Sequence, residues 1–263
     1  MENGSARVVT RNFAAFVAPA LLAGAVLSAG TAASAQVAPL APRWIAGTPP
    51  PPVETFADGL ARHHIEPTEV ALTAALEDPD GEVRSLAAAQ LAAMDDHPAL
   101  PKITLAMNSE RDPQVKVNLA GAATWLGSQR ALDQLQLICQ DVYVPSLTRL
   151  DAARYVSHKE LATCFPAVED IERLDQDPAI RIQAIQSAAV YRGQSGRAAA
   201  LATSALTDLS PEVRVAAADA LRDLHATGSV GELNRALQVE ADDTAREHIR
   251  GAIRALQTHD NPH

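Results

Sequence analysis

Aromatic residues are scarce: two Trp, three Tyr and four Phe make up 3% of the 263-residue chain. Interface anchors come chiefly from Trp, Tyr and Arg, so few are available. Trp125, Tyr143, Tyr155, Tyr191, Phe56 and Phe165 fall in the part expected to fold, where core packing is their expected role. A basic excess is also missing. Twenty-two Lys and Arg face 32 Asp and Glu, a net charge of −10, which opposes nucleic acid and anionic lipid as partners. No segment alternates with the period of two that marks a strand. No HExxH, Gly-x-Ser-x-Gly or Gly-rich phosphate loop is present, and no two of the eight histidines lie at i, i+4 on an expected helix. No catalytic residue, metal site or cofactor site is therefore assigned.

What is present begins with an N-terminal export signal. Arg7 and Arg11 precede an apolar run from Ala14 to Leu27, and Ala33-Ser34-Ala35 offers a small-x-small cleavage site before Gln36. Residues 1–35 read as a secretory signal peptide. The rival reading is an uncleaved anchor over the 18 residues from Phe13 to Gly30, which Pro19 and Gly24 weaken as a span. Cleavage leaves 20 basic and 31 acidic residues, a net charge of −11. The expectation is an exported acidic protein, periplasmic or secreted, with no stable membrane insertion. Residues 36–53 are rich in proline and read as an extended flexible linker; Trp44 within it is expected to fold back on the first helix.

From there the chain repeats. Val83, Val115, Leu147, Ile180, Val213 and Ala245 follow one another at intervals of 32 or 33 residues, the mark of stacked structural repeats. Each unit opens on a cap-and-proline signal, as at Asp78-Pro79, Asp112-Pro113, Asp177-Pro178 and Ser210-Pro211. An Ala-rich helix follows, with apolar residues at i, i+3, i+4, i+7 and i+8, such as Val213, Ala216, Ala217, Ala220 and Leu221. Second helices are expected over 98–108, 129–140, 166–174, 196–207 and 230–239, and a helix at 68–77 caps the start. The expected fold is all-α: a right-handed α-solenoid of about six helix pairs over 54–258, with a disordered tail at 259–263.

The pattern of an acidic residue, often proline, then Val-Arg-x-x-Ala-Ala-x-x-Leu resembles HEAT repeats of the short bacterial type first described in phycobilisome lyases. The resemblance covers nearly all of 68–257. It implies a ladder of acidic and basic residues along the stack, carried here by Asp78/Arg84, Glu110/Lys116, Asp175/Arg181, Asp208/Arg214 and Glu240/Arg246, with Val142 and Thr148 standing in the third repeat. One HEAT-repeat enzyme family, deoxyhypusine hydroxylase, holds a di-iron centre with His-Glu dipeptides, and this sequence has none. The other enzymatic relatives, the phycobilin lyases, share the repeat without a known catalytic motif.

Cys139 and Cys164 fall at opposite ends of neighbouring parallel helices in a regular stack, too far apart to bridge. Two buried thiols are the expectation; a disulfide would need a local bend at Phe165-Pro166. In HEAT-type stacks the second helices line the concave surface, which here would present Lys102, Asn108, Gln136, Glu169, Arg173, Arg197, Asn234 and Gln238. The expected function is non-enzymatic: scaffolding in the bacterial cell envelope through an unidentified protein or peptide partner. The alternative is an accessory lyase-like enzyme or a cofactor-handling chaperone.

Overall fold

The computed structural model describes residues 55–191 and 193–259; the expected signal peptide, the Pro-rich stretch and the end of the expected tail lie outside the described residues. Thirteen α-helices and two single 3-10 turns, with no strand, account for the regular structure among them. They fall into two compact units. The first, up to Glu110, holds α1 (Phe56–Arg62), α2 (Glu69–Ala75), α3 (Gly81–Ala93) and α4 (Leu100–Ser109). The second holds α5 (Pro113–Trp125), α6 (Gln129–Gln140), α7 (Ser146–Ser157), α8 (Phe165–Leu174) and α9 (Pro178–Ala189). It continues with α10 (Ser195–Ala205), α11 (Pro211–Asp223), α12 (Val230–Val239) and α13 (Asp243–His259).

Odd-numbered helices are the Ala-rich first members of each pair. Within the second unit each packs on the preceding first helix and the preceding second helix: α7 on α5 and α6, α9 on α7 and α8, α11 on α9 and α10, α13 on α11 and α12. The small side chains make this possible. Ala120, Ala152, Ala184 and Ala217 are all fully buried, letting helix axes approach within the 8–10 Å of packed helices. The expected capping helix at 68–77 is α2, and it is the second member of a pair. Its first member, α1, escaped the sequence reading because it is only seven residues long and carries Gly59. A Cβ there would sit 3.0 Å from a Leu86 methyl, so a larger residue would require that side chain to shift.

Local chemistry sets the ends of the helices. Asp112, Asp177 and Ser210 cap α5, α9 and α11 through side-chain bonds to the first-turn amides, with proline following each. At α3 the cap is Asp80, not Asp78, whose Oδ1 instead accepts the Asp80 amide at 2.8 Å. Every first helix of a pair is followed by one residue of left-handed backbone: His64, Asp95, Gly127, Glu160, Gly193 and His225. Their spacing repeats the period of the chain, and this conformation frees the amide to close the last turn and redirect the chain. Glycine adopts it without cost at two sites; at the other four a side chain is held there by the turn.

One glycine in the body of a helix is required by packing. At Gly121 of α5 an added Cβ would lie 2.3 Å from the Tyr155 ring of α7. Alanine would gain about 1 kcal/mol of helix propensity, but overpacking typically costs 1–3 kcal/mol, and a contact this short belongs at the upper end. Gly121→Ala is expected to destabilise by about 2 kcal/mol in urea unfolding, whereas the same change made in a Tyr155→Ala background should cost little, because the ring it meets is gone.

Candidate functional site

The repeat ladder exists, with its partners shifted by one repeat from the sequence expectation. Arg181 donates from Nε and Nη2 to the two Asp208 carboxylate oxygens, both at 2.8 Å. Arg214 grips Glu240 in the same fork, at 2.6 and 2.7 Å, and Arg84 reaches Glu110 at 2.5 and 2.9 Å. The acid six residues back supplies only its backbone carbonyl, as when Arg181 Nη1 donates to Asp175 O at 2.9 Å and Arg214 Nη1 to Asp208 O at 2.8 Å. The reason is local. Each acid side chain accepts the amide two residues on, Asp208 from Ser210 and Glu240 from Asp242, and so faces the preceding repeat's arginine. The expected side-chain pairing within Asp78/Arg84, Glu110/Lys116, Asp175/Arg181, Asp208/Arg214 and Glu240/Arg246 is therefore corrected: Arg84, Arg181 and Arg214 each grip the acid of the following repeat, Glu110, Asp208 and Glu240. Arg246, the last in the series, donates to Glu240 O and to the Asp243 side chain.

These pairs are partly buried: Glu240 keeps 2% of its side chain exposed and Arg214 16%. The Arg214 hydrogen bonds outweigh burial and hold the Glu240 carboxyl down at about 2. At Asp208 burial pushes upward, but the bonds from Arg181 and the Ser210 amide, with the Arg214 charge, leave the carboxyl below its ordinary value. Glu172 beside them moves the other way, raised by burial and the Asp208 charge.

Between Glu110 and Asp175 the ladder stops. Lys116 finds Val142 at the position where the arginines find their acids, and Thr148 stands in place of the next cation. A different network fills the space between α5 and α7. Thr148 Oγ1 donates to Gln114 Oε1 at 2.8 Å, and Gln114 Nε2 donates to Asp151 Oδ2 at 2.9 Å. Burial raises the Asp151 carboxyl, and the Arg154 charge and the Gln114 bond offset this only in part.

A disulfide also sits here. Cys139 and Cys164 are bridged with Cα atoms 5.8 Å apart, and both are fully buried. This corrects the expectation of two separate thiols, which assumed a regular stack. The connection from His158 to Cys164 turns at Glu160 (φ 58°) and brings the residue before α8 to the last turn of α6, while α8 packs chiefly on α7 and α9. Nearby, Tyr143 is 94% exposed on the turn after α6, so it does not serve the core as expected. Phe165 and Tyr191 do: their rings meet edge to face at 5.2 Å, and Tyr191 donates to Ala153 O at 2.7 Å.

The eight residues expected on the binding face divide by use. Arg197 and Glu169 pair with each other between α10 and α8, and the Arg197 guanidinium also lies 4.5 Å from the centre of the Phe165 ring. Arg173 pairs with Asp170 one turn back, and Asn234 donates to its own helix at Val230 O. Lys102, Asn108 and Gln238 are exposed and Gln136 is half-buried.

A concavity in the second unit lies near some of these residues. A half-open groove of about 660 Å³ runs between α10 and α12. Leu206, Ala236 and Val239 supply apolar wall, and Thr203 and Thr207 supply hydroxyls. The buried Arg214–Glu240 pair forms its depth, and the exposed Arg235–Glu232 pair its rim. None of the eight expected residues lines it. On α12 the sequence pointed to Asn234 and Gln238; the groove is lined by Glu232, Arg235, Ala236 and Val239, a neighbouring stripe of the same helix. Its signal in the sequence was Val239, an apolar residue next to a repeat acid, which is 82% exposed.

Among the described residues no group of three or more His, Cys, Asp or Glu is placed to hold a metal ion, and no helix is long and apolar enough to cross a membrane. The fold and groove define an α-helical repeat protein with a concave recess between second helices. Residues 68–154 match the model of HEAT repeats. No curated protein sequence matches it. Among solved structures it is similar to human deoxyhypusine hydroxylase in complex with glycerol, at 17% identity and a TM-score of 0.41, over 72% of this chain and 73% of that one. It is also similar to an engineered protein, at 17% identity and a TM-score of 0.41, over 71% of this chain and 95% of that one. The expectation that the chain is not an enzyme is corrected: the lack of a catalytic motif in the sequence does not decide the matter.

Proposed function

We propose that this protein binds a segment of a partner protein in the groove between α10 and α12, and that it does so in the cell envelope after export. The observation that carries the reading is the groove itself. A recess of about 660 Å³ with apolar walls, neutral hydroxyls and a charged rim has the make-up of a peptide-binding site: apolar area for affinity and a few polar groups for orientation. The two ion pairs contribute no net charge, so the bound segment is chiefly apolar with backbone groups facing Thr203 and Thr207. Export is supported by the Cys139–Cys164 bridge, since disulfides persist in oxidising compartments.

Peptide-display selection on the purified protein, followed by titration of the selected peptides, tests this. Filling the groove with Ala236→Trp is expected to weaken binding at least about tenfold, the loss of roughly 1.4 kcal/mol, while Lys102→Ala leaves it unchanged. Peptides that bind the Ala236→Trp protein as well as the original would sink the reading.

A further inference from the structure

The groove between α10 and α12 has a counterpart on α2 that lacks its second wall. Counted back from the repeat acid, Asp78 or Glu240, Val70, Ala74 and Glu77 of α2 hold the positions of Glu232, Ala236 and Val239 on α12. On α12 these three residues line the groove together with residues of α10, the second helix of the preceding pair. The pair α1–α2 is the first among the described residues, and its stripe is open: Val70 is 82% exposed, and Ala74 and Glu77 are exposed with it. Ala71 beside them is half-buried, whereas its counterparts Ile103, Leu135, Val168, Leu201 and Leu233 are all buried. The chain leading into this pair is residues 36–53, which end just before Thr55, the N-cap of α1. It carries Leu40, Trp44 and Ile45, six prolines, and Arg43 as its one charged side chain.

We propose that residues 36–53 fold back on their own molecule and cover this stripe, with Trp44 seated on Val70 and Ala74 and Arg43 paired with Glu77. Chain order selects the occupant. On α12 the stripe is faced by the chain immediately before its own pair, and before α1 that chain is the Pro-rich segment. The composition suits the place. Trp44 is the largest apolar side chain the segment has to cover an exposed valine and alanine, and its one cation meets an acid at the end of the stripe. Its prolines lack the amides that a covered backbone would have to pair. Length is sufficient as well. Ten residues separate Trp44 from Thr55, about 30 Å of extended chain, against about 10 Å for the seven residues of α1. The segment thus serves as the cap that a helical repeat array requires over its first face, and Trp44 rests on α2 instead of on the first helix.

The fluorescence of Trp44 reports on this contact directly and independently of the groove. In the purified protein its emission, taken as the difference between the original and Trp44→Phe, is expected at shorter wavelength than in the urea-unfolded chain and unchanged by dilution. Val70→Lys with Ala74→Lys puts two cations in the seat and should return the Trp44 emission to that of the unfolded chain. Circular dichroism of this variant should match the original, since both altered side chains are exposed. Trp44→Ala should lower the melting temperature by about 2–4 °C in the original protein and leave it unchanged in the lysine variant, where the contact is already gone. Trp44 emission that already matches the unfolded chain, or a shift that survives the lysine variant, would overturn the proposal. So would a shift that disappears on dilution, which belongs to a second copy, or an equal loss from Trp44→Ala in both proteins.

Discussion

Arg214→Ala is expected to lower the unfolding free energy by about 3 kcal/mol or more, among the largest effects of any single side chain in the second unit. Arg214 makes a two-bond fork to Glu240 and donates Nη1 to the carbonyls of Asp208 and Leu209, at 2.8 and 3.1 Å. Its removal leaves a carboxylate with 2% of its side chain exposed and only backbone amides, those of Asp242 and Ala241, to hold it. Breaking a buried pair by deleting one member costs about 3–5 kcal/mol, because the remaining charge stays desolvated. The same fork holds the Glu240 pKa down, and its drop from 4.5 to about 2 is of the same order, about 3 kcal/mol.

The same drop fixes the pH dependence. A carboxyl depressed on folding stabilises the protein fully above its unfolded value near 4.5, and the contribution disappears as pH falls toward 2. Arg214→Ala should therefore flatten the acid side of the stability profile. Asp151 and Glu172, raised on folding, act in the opposite sense: protonation as pH falls removes their buried charge. Urea unfolding of Arg214→Ala, Glu240→Ala and the double variant should show strong coupling between the two residues. Stronger coupling of Arg214 to the Asp208 side chain would refute the forward pairing.

Replacing both cysteines by alanine is expected to cost about 3 kcal/mol and to lower the melting temperature by roughly 10 °C. The bridge closes 25 residues of chain, and a loop of that size removes about 3 kcal/mol of conformational freedom from the unfolded state. Its place in the fold adds to the consequence. The cross-link fastens the last turn of α6 to the start of α8 where Val142 and Thr148 interrupt the ladder, so a covalent bond stands where neighbouring repeats have an ion pair. Both sulfurs are buried, and reductant should react at an appreciable rate only after unfolding. Melting curves of the double variant that coincide with those of the oxidised protein would show that the bridge contributes nothing.

The helices and their order were legible because their causes are local. Caps at Asp112, Asp177 and Ser210 act on amides two or three residues away, and the apolar stripe of α11 recurs within the helix itself. Only α1 was missed, being short and broken by a glycine that packs against Leu86 of another helix. The arginine partners were ambiguous for a definite reason. With a period of 32 or 33, an acid six residues behind an arginine implies another 26 or 27 residues ahead, and both fit the same spacing.

The sequence by itself determined an all-helical repeat chain, the residues of the charge ladder and the place where it fails, since each is written in spacing along the chain. Tertiary structure decided which acid each arginine grips, that Cys139 meets Cys164, and that the groove runs past Val239 and Ala236 instead of Asn234 and Gln238. Those outcomes depend on how far a side chain or a seven-residue connection reaches across neighbouring helices, and on a rotation of less than half a turn about the axis of α12, distances and angles that a one-dimensional period leaves free.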